Sequence, residues 1–438
     1  MNYKQYFKNK KILIMGLGLL GRGVNVAKFL VKQGALLTIT DLKNEKELLP
    51  SLKSLKKFKN IKYILGGHRL VDFKNKDMVI RAANVPLKSI YLSEANKNKI
   101  PIEMDASLFA KFCPAKIIGI TGTRGKSTVT KIIFHILKFA GRRAFLGGNI
   151  KGLATLPLLE KIKQGDWVVL ELDSWQLNGF GASKISPHIS VFTNFLSDHM
   201  NYYNNSMKRY FDDKANIFKY QSREDYLVLS SQAKKEIRKR YKNKIESQIV
   251  EAKNISPFWK NNLLGEHNKI NIALAAKVLE VIGVKKNIIK KGIASYKGEP
   301  GRLELIRHFK GIDYYNDTNA TTPDATIAAL KAFNGRRIIL IAGGADKNLD
   351  YDIFVKKVKK TVKKLILIKG SATDKIINLL GSFSYKNAEN MEKAFVIANQ
   401  LSQKGDLVLL SPAAASFGVF KNEYDRGEQF NKFVAKLK

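Results

Sequence analysis

Two stretches of the chain, ILIMGLGLLGRG (12–23) and IIGITGTRGKSTVT (117–130), each pass from an apolar run through a glycine turn into an amphipathic segment. That order constrains the fold more than any bulk property, because successive parallel strands need a crossover that leaves one strand and returns as a covering helix. The alternation recurs along the sequence. KKILIMG (10–16), LLTITD (36–41) and DMVIRAA (77–83) form one group of predicted strands. AKIIGITG (115–122), DWVVLEL (166–172) and HISVFTN (188–194) form a second, and RRIILIAGG (336–344), KLILIKG (364–370) and DLVLLSP (406–412) a third. Runs this apolar suit strands covered on both faces. A chain of 438 residues exceeds one core. The expected fold is α/β in three domains, 1–108, 109–298 and 299–438.

In the first loop, Gly16, Leu17, Gly18, Leu19, Leu20 and Gly21 lead into the helical segment VNVAKFLVKQG (24–34). The glycines permit a tight turn and let backbone N–H groups approach a diphosphate at the helix N-terminus. Asp41 closes the next strand, twenty residues after Gly21, where a dinucleotide enzyme holds a ribose. NAD and a UDP-sugar both fit this pattern, and so does a turn that serves only close strand–helix packing.

The second loop comprises Gly122, Thr123, Arg124, Gly125, Lys126, Ser127 and Thr128. It departs from strict GxxxxGK[ST] spacing, since Gly119 lies one residue too far upstream, yet its mechanics are intact. Loop amides surround phosphates, Lys126 reaches the terminal ones, and the Ser127 or Thr128 hydroxyl suits Mg²⁺. ATP or GTP is the expected ligand. A phosphate-activating segment joined to a diphosphate-binding one points to a ligase; a dehydrogenase has no use for the second loop.

The chain carries 77 Lys and Arg against 37 Asp and Glu, a formal net charge of +40. Such a balance raises the question of nucleic acid or an anionic membrane surface. The lysines, however, are spread along the whole length. The densest runs, KKEIRKRYKNK (234–244) and VKKVKKTVKK (355–364), read as solvated faces of amphipathic helices, with Val358, Val362 and Leu365 pointing inward. No specific nucleic-acid partner is expected. No apolar run approaches the roughly 18–20 residues of a membrane span, and the start lacks the apolar core of a signal peptide. With Cys113 the only cysteine, a reducing cytoplasm, no membrane insertion and a monomer are expected.

The remaining blocks resemble the Mur ligase family, the ATP-dependent amide ligases of peptidoglycan synthesis, over essentially the whole chain. TGTRGKST (121–128) resembles the family's ATP loop, and GGNI (147–150) places Asn149 where the family contacts the sugar nucleotide. ELDSWQL (171–177) makes Glu171 a Mg²⁺ ligand and Gln176 a substrate contact by resemblance, and NFLSDHM (194–200) makes His199 a second metal ligand. YFDDKANIF (210–218) puts Lys214 at the position the family carbamylates; a plain ammonium has no lone pair, so only the carbamate could bind a metal. LLGEHNKINIALAA (263–276) supplies His267, Asn268 and Asn271 near the nucleotide. GRLE (301–304) and NDTNATTPDA (316–325) supply Arg302 and Asp317 as ATP contacts. GGADKNLDY (343–351) and LSPAAASFGVF (410–420) supply Lys347, Ser416 and Phe417, which look like the amino-acid site.

The resemblance implies a Rossmann-like UDP-binding domain, a central P-loop ATPase domain and a C-terminal Rossmann-like domain for the incoming amino acid. Lys126, His199 and Lys214 would serve catalysis, with ATP and two Mg²⁺ ions held partly by Ser127 and Glu171. The nearest pattern within the family adds D-glutamate to UDP-N-acetylmuramoyl-L-alanine through an acyl phosphate. Another Mur-type ligase with a different amino acid or carboxylate carrier is the nearest alternative, and an NAD-dependent oxidoreductase a remoter one. Several residues depart from the family pattern: Arg124 for Asn, Asp173 for Ser, Asn319 for Lys, Leu42-Lys43 for Thr-Arg, and Arg81-Ala82-Ala83-Asn84 in place of the usual Ser-Pro-Gly turn.

Overall fold

Short runs of Ile, Leu and Val, buried along nearly their whole length, form the central strands of three separate sheets. The structure is a computed structural model and describes residues 2–83, 85–86, 88–150, 152–200, 202–253 and 259–437. The first sheet contains β1 (Lys11–Met15), β2 (Leu36–Asp41), β3 (Ile61–Leu65), β4 (Met78–Arg81) and β5 (Ile102–Glu103), in the spatial order β3-β2-β1-β4-β5. The second contains β6 (Lys116–Thr121), β7 (Ala144–Gly148), β8 (Trp167–Glu171), β9 (Ile189–Phe192), β10 (Tyr226–Ser230) and β11 (Gln248–Ala252), in the order β11-β10-β9-β6-β8-β7. Every pairing in these two sheets is parallel.

The third sheet contains β12 (Glu304–Phe309), β13 (Ile312–Asn316), β14 (Arg337–Gly343), β15 (Val362–Ile368), β16 (Tyr385–Ala388) and β17 (Asp406–Leu410). Its order is β12-β13-β17-β14-β15-β16, parallel except for the β12–β13 hairpin at its edge. Alternate residues of its central strands face opposite sides, as the two-residue period of a strand requires. Ile338, Leu340, Leu365, Leu367, Leu407 and Leu409 join one buried cluster, while Ile339, Ile341, Ile366, Ile368, Val408 and Leu410 join the other.

The chain packs as two compact units, 1–259 with 270–293, and 260–269 with 294–438. The first unit holds the first two sheets, and one buried cluster runs through it from Phe7 to Ile237. The second holds the third sheet. In each sheet a glycine-bearing loop leaves a strand beside the place where strand order reverses: after β1 next to β4, after β6 next to β9, and after β14 next to β17. Such switch points open a crevice at the carboxyl ends of the strands, where open α/β sheets take their ligands.

The lysine-rich run 355–364 does not form one amphipathic helix. Its helix is Asp352–Thr361, and Val362 already begins β15. Val362 and Leu365 are buried as expected, but as strand residues. The run Leu365-Ile366-Leu367-Ile368 favours a strand, and pairing with β14 carries it back to Val362, overriding the helical spacing of the lysines. The other run is helical only over Ser231–Arg240, because Tyr241 turns to an extended conformation. Among the described residues, no helix is long and apolar enough to cross a membrane.

Candidate active site

The loop after β6 is folded so tightly that two of its positions admit only glycine. Gly122 has φ +138° and Gly125 φ +82°; a Cβ would stand 1.9 Å from Thr193 Oγ1 at the first and 2.3 Å from Asn271 Oδ1 at the second. Asn194 and Thr193, just after β9, fix the loop. The Thr123 amide donates to the Asn194 carbonyl (2.9 Å), the Arg124 amide to Asn194 Oδ1 (2.8 Å), and the Thr193 hydroxyl to the Arg124 carbonyl (2.6 Å). Gly125 caps the helix Lys126–Phe139, whose N-terminus points a partial positive charge into the crevice. Lys126 folds back and donates to the carbonyls of Gly122 (3.1 Å) and Thr123 (3.0 Å). Burial lowers its pKa, and the carboxylates of Glu171 and Asp173 oppose that.

Lys214 lies in the helix Met207–Ala215 with 1% of its surface exposed. Its Nζ donates to the same Gly122 carbonyl at 2.8 Å and to Thr121 Oγ1 at 3.4 Å. Two lysine side chains therefore share one carbonyl oxygen. Burial first, and then the charge of Lys126, push the Lys214 amine well below the ordinary lysine range. Glu171 ends β8, buried, in register with Ile120 of β6 and Gly148 of β7.

His199 sits in a loop with φ +55°, its ring 4.9 Å from that of Trp175 and its Nε2 3.7 Å from Asp198 Oδ2. Burial lowers its pKa; Asp198 pulls it upward, and Lys126 and Lys214 downward. Asp198 also pairs with Arg124 at 3.2 Å. Burial works against its ionisation, but Arg124 and His199 outweigh it and hold the carboxyl below the usual range. The Arg124 departure thus has a partner that sequence reading missed. Among the described residues, no group of three or more His, Cys, Asp or Glu side chains is arranged to hold a metal ion. Glu171 with the Ser127 hydroxyl is an oxygen set of the kind Mg²⁺ uses when phosphates and water complete its shell.

The first loop is held from below. Asp41 Oδ2 accepts from the Leu17 and Gly18 amides at 2.8 and 3.0 Å, and its Oδ1 from the Lys43 amide at 2.9 Å. Leu19 and Leu20 stand exposed at the tip. Arg22 donates to the Gly148 carbonyl (3.2 Å) and to Asn149 Oδ1 (3.4 Å), which brings Asn149 beside this loop. Gln176 is buried in a capping box, accepting from the Asp173 amide while its own amide donates to Asp173 Oδ1. Asp173, the second departure, is therefore the cap of the helix Ser174–Ala182. Arg81 is also buried, and Asn84 lies outside the described residues.

In the second unit, Asp317 is buried at the end of β13 and accepts from the Leu303 amide (3.1 Å) and the Ser411 hydroxyl (2.8 Å). Burial pushes its carboxyl up to about 7 against those two bonds and the charge of Arg302. Burial, and then Arg302, lower His267. Asn268 donates to the Leu264 carbonyl at 2.7 Å. Asn319, the third departure, donates to the Pro300 carbonyl at 3.0 Å. Lys347 donates to Thr321 Oγ1 at 3.1 Å, and an Ala345–Ala415 bridge joins its turn to the loop of Ser416, which is buried, and Phe417, which is exposed.

Sequence reasoning missed Arg426. It is fully buried and donates to Thr318 Oγ1 (3.1 Å), the Thr318 carbonyl (2.8 Å) and the Ala414 carbonyl (3.2 Å), so one guanidinium ties the Asp317 turn to the Ser416 loop. The available signal was spacing. Arg426, Phe430 and Val434 occupy one buried stripe of the helix Glu423–Ala435, and a charge on such a stripe needs a purpose.

Residues 120–263 match the profile of the Mur ligase middle domain, and residues 301–414 that of the Mur ligase glutamate ligase domain. The chain is 37% identical to a UDP-N-acetylmuramoylalanine–D-glutamate ligase of Borreliella afzelii over 98% of both chains. It is 34% identical to the protein of the same name from Roseiflexus sp. over 97% of this chain and 98% of that one. Among solved structures, UDP-N-acetylmuramate-alanine ligase from Thermotoga maritima shares the fold with a TM-score of 0.64 at 20% identity, covering 98% of this chain and 100% of that one. MurF ligase of the same organism, in complex with ADP, does so with a TM-score of 0.62 at 15% identity, over 99% and 97% of the two chains.

The Asp317 carboxyl gives a stability test. Its folded pKa of about 7 lies above the unfolded value of about 3.9, so the native state holds the proton more tightly. The stability advantage of the protonated acid is present below about pH 4 and is lost as pH rises to about 7, by up to about 4 kcal/mol. Thermal unfolding from pH 4 to 8 should show this loss in the wild type and a flatter profile in Asp317→Asn; parallel profiles would contradict the assignment.

Proposed function

The chain belongs to the Mur ligase family, and from that premise we infer that it is an ATP-dependent amide ligase joining D-glutamate to UDP-N-acetylmuramoyl-L-alanine in peptidoglycan synthesis. The structural observation that carries this reading is the pairing of Lys126 and Lys214 on the Gly122 carbonyl, at the mouth of a glycine loop shaped for phosphates. The choice of D-glutamate rests on the likeness, over nearly full length, to ligases of that name.

The reaction consumes ATP because a free carboxylate is a poor acylating agent. A carboxylate oxygen of the L-alanyl arm attacks the γ-phosphorus, the bond to the ADP oxygen breaks, and an acyl phosphate forms. The D-glutamate amine then attacks the acyl carbon, loses a proton, and phosphate departs with the C–O bonding pair. Positioning and charge neutralisation do most of the work in such transfers. Lys126, released from its own loop carbonyls, is placed to neutralise the terminal phosphates. Loop amides and the helix N-terminus support the same charge.

Glu171 and Ser127 would hold one Mg²⁺, and His199 with a carbamate on Lys214 a second; the ions supply charge neutralisation on the phosphates. The surroundings of Lys214 fit carbamylation. Its amine is buried beside Lys126 and donates to the Thr121 hydroxyl at the end of β6 and to the Gly122 carbonyl. Conversion to a carbamate keeps one N–H donor and replaces a second buried cation by an anion next to Lys126. The first loop with Asn149 is assigned to the UDP end of the substrate, with Asp41 and Gln176 supporting from behind. Gly122–Thr128, Asn268, Asn271, Arg302 and Asp317 are assigned to ATP, and Lys347, Ser416 and Phe417 to the amino acid. The segments 1–108, 109–298 and 299–438 carry mainly the UDP, ATP and amino-acid roles, with Asn149 and Gln176 of the second assigned to UDP and Arg302 and Asp317 of the third to ATP. The reading places the enzyme in the cytoplasm, where ATP is supplied, and uses residues of one chain only.

Phosphate release from ATP with UDP-N-acetylmuramoyl-L-alanine should require D-glutamate when D-Glu, L-Glu, L-Ala and L-Lys are offered in turn. Release with a different amino acid would move the protein elsewhere in the family. Lys126→Ala should lower turnover by about 10²–10³-fold, the range for losing one preorganised charge-stabilising donor. Lys214→Ala should be nearly inactive and regain activity with added short carboxylates; full activity without them would remove the carbamate.

A further inference from the structure

Arg81 lies in the segment that departs from the family pattern, and none of the roles above uses it. It ends β4, in register with Met15 at the mouth of the first loop, and only 3% of its surface is exposed. Its Nη1 donates to the Val85 carbonyl (3.2 Å) and its Nη2 to Asn178 Oδ1 (3.0 Å). No carboxylate among the described residues lies within ion-pair distance of it. Burying a guanidinium on neutral partners is costly, so the arrangement calls for a compensating use.

Asn178 passes the contact on. Its Nδ2 donates to Asp213 Oδ1 at 3.0 Å, and the Tyr203 hydroxyl donates to Asp213 Oδ2 at 3.0 Å. Asp213 immediately precedes Lys214, and Asn178 sits on the helix whose Trp175 packs against His199. The amide of Asn178 is oriented by this arrangement, its oxygen toward the cation and its nitrogen toward the carboxylate. A polar chain thus runs from the carboxyl end of β4 to the helical turn that presents Lys214.

We infer that Arg81 is a positioning residue, which fixes Asp213 through Asn178 and so sets the placement of Lys214 relative to the glycine loop. The inference rests on the reading of Lys214 as a functional group. It also links the two ends of a long substrate, because β4 lies beside the first loop while Asp213 lies beside the second. Outer partners that orient a ligating side chain commonly cost about 10–100-fold when removed.

The test uses the full chain with Arg81→Ala, Arg81→Lys, Asn178→Ala and the double variant Arg81→Ala/Asn178→Ala. Each single change should lower kcat about 10–100-fold and leave the KM for ATP within about 2-fold. The double variant should be no worse than Arg81→Ala, since both act through one chain. A cavity of about 460 Å³, lined by Arg81, Asn178 and Glu103 among others, adjoins the guanidinium, so millimolar guanidinium ion should restore part of the Arg81→Ala activity. Hydrogen exchange over 207–215 in the ligand-free protein should quicken in every variant, whatever the substrate proves to be. Multiplicative losses in the double variant, or unchanged exchange in a folded Arg81→Lys or Asn178→Ala, would overturn the inference. Wild type without D-glutamate-dependent phosphate release would instead overturn the assigned reaction, while the exchange result still decides the Arg81 contact.

Discussion

The Gly122 carbonyl, accepting from both Lys126 and Lys214, organises the first unit around two amines held close together. Two cations this close repel each other, and water is largely kept from one of them. At an effective dielectric of about 20, unit charges 4 Å apart interact by about 4 kcal/mol. The fold tolerates this because one amine can give up its proton and because Glu171, Asp173 and Asp198 face the cluster. An arriving triphosphate would draw Lys126 off its own loop carbonyls, so the loop must hold its shape before the ligand is bound. The requirement propagates outward: Gly122 and Gly125 must lack side chains for the loop to sit against Thr193 and Asn271, and those residues depend on β9 and the following helices for their position.

Much of this was legible in the sequence, for identifiable reasons. Parallel strands covered on both faces are nearly continuous apolar runs, so KILIM, KIIGIT and RIILIAG declared themselves, and the glycine turns after them marked the crevices. The 355–364 run misled because lysine spacing describes only what faces water, whereas pairing with β14 decided the backbone. Lys214 shows the limit from the other side. Its local sequence, FDDKAN, describes a polar helical turn, and only the fold reveals that this lysine is among the largest fully buried side chains. The pairings of Arg426, Asn178 and Arg81 were hidden for the same reason: apart from Val85, four residues from Arg81, their partners are 12 to 108 residues away, and no short-range pattern records such pairings.

The second unit solves a related problem differently. Arg426 is buried on three neutral oxygens, and Asp317 is a buried carboxyl held by one hydroxyl and one amide. Among the described residues neither has a charged partner within ion-pair distance, and both adjoin Thr318. Burial moves both toward neutrality, lowering Arg426 to about 10 and raising Asp317 to about 7. The arginine remains charged near neutral pH while the acid is close to its midpoint, which leaves the turn 316–322 on the positive side of balance. That bias suits loops assigned to an acidic amino acid and to a nucleotide, and the cost is met by the two fully packed faces of the third sheet.

The first loop shows how one motif can serve different ligands. A strand, a glycine turn and an acid at the end of the next strand form the pattern of a dinucleotide site, where the acid holds a ribose. Here both Asp41 oxygens already accept backbone amides, two from the loop itself and one from Lys43. The carboxylate is spent on shaping the turn, so its geometry is set before any nucleotide arrives. On the proposed reading, recognition would fall to what the turn presents: the amides at its tip, the exposed Leu19 and Leu20, and Arg22 with Asn149 alongside. A nicotinamide enzyme needs its acid for the ribose; a site that reads a diphosphate and then hands a long arm toward a second loop does not.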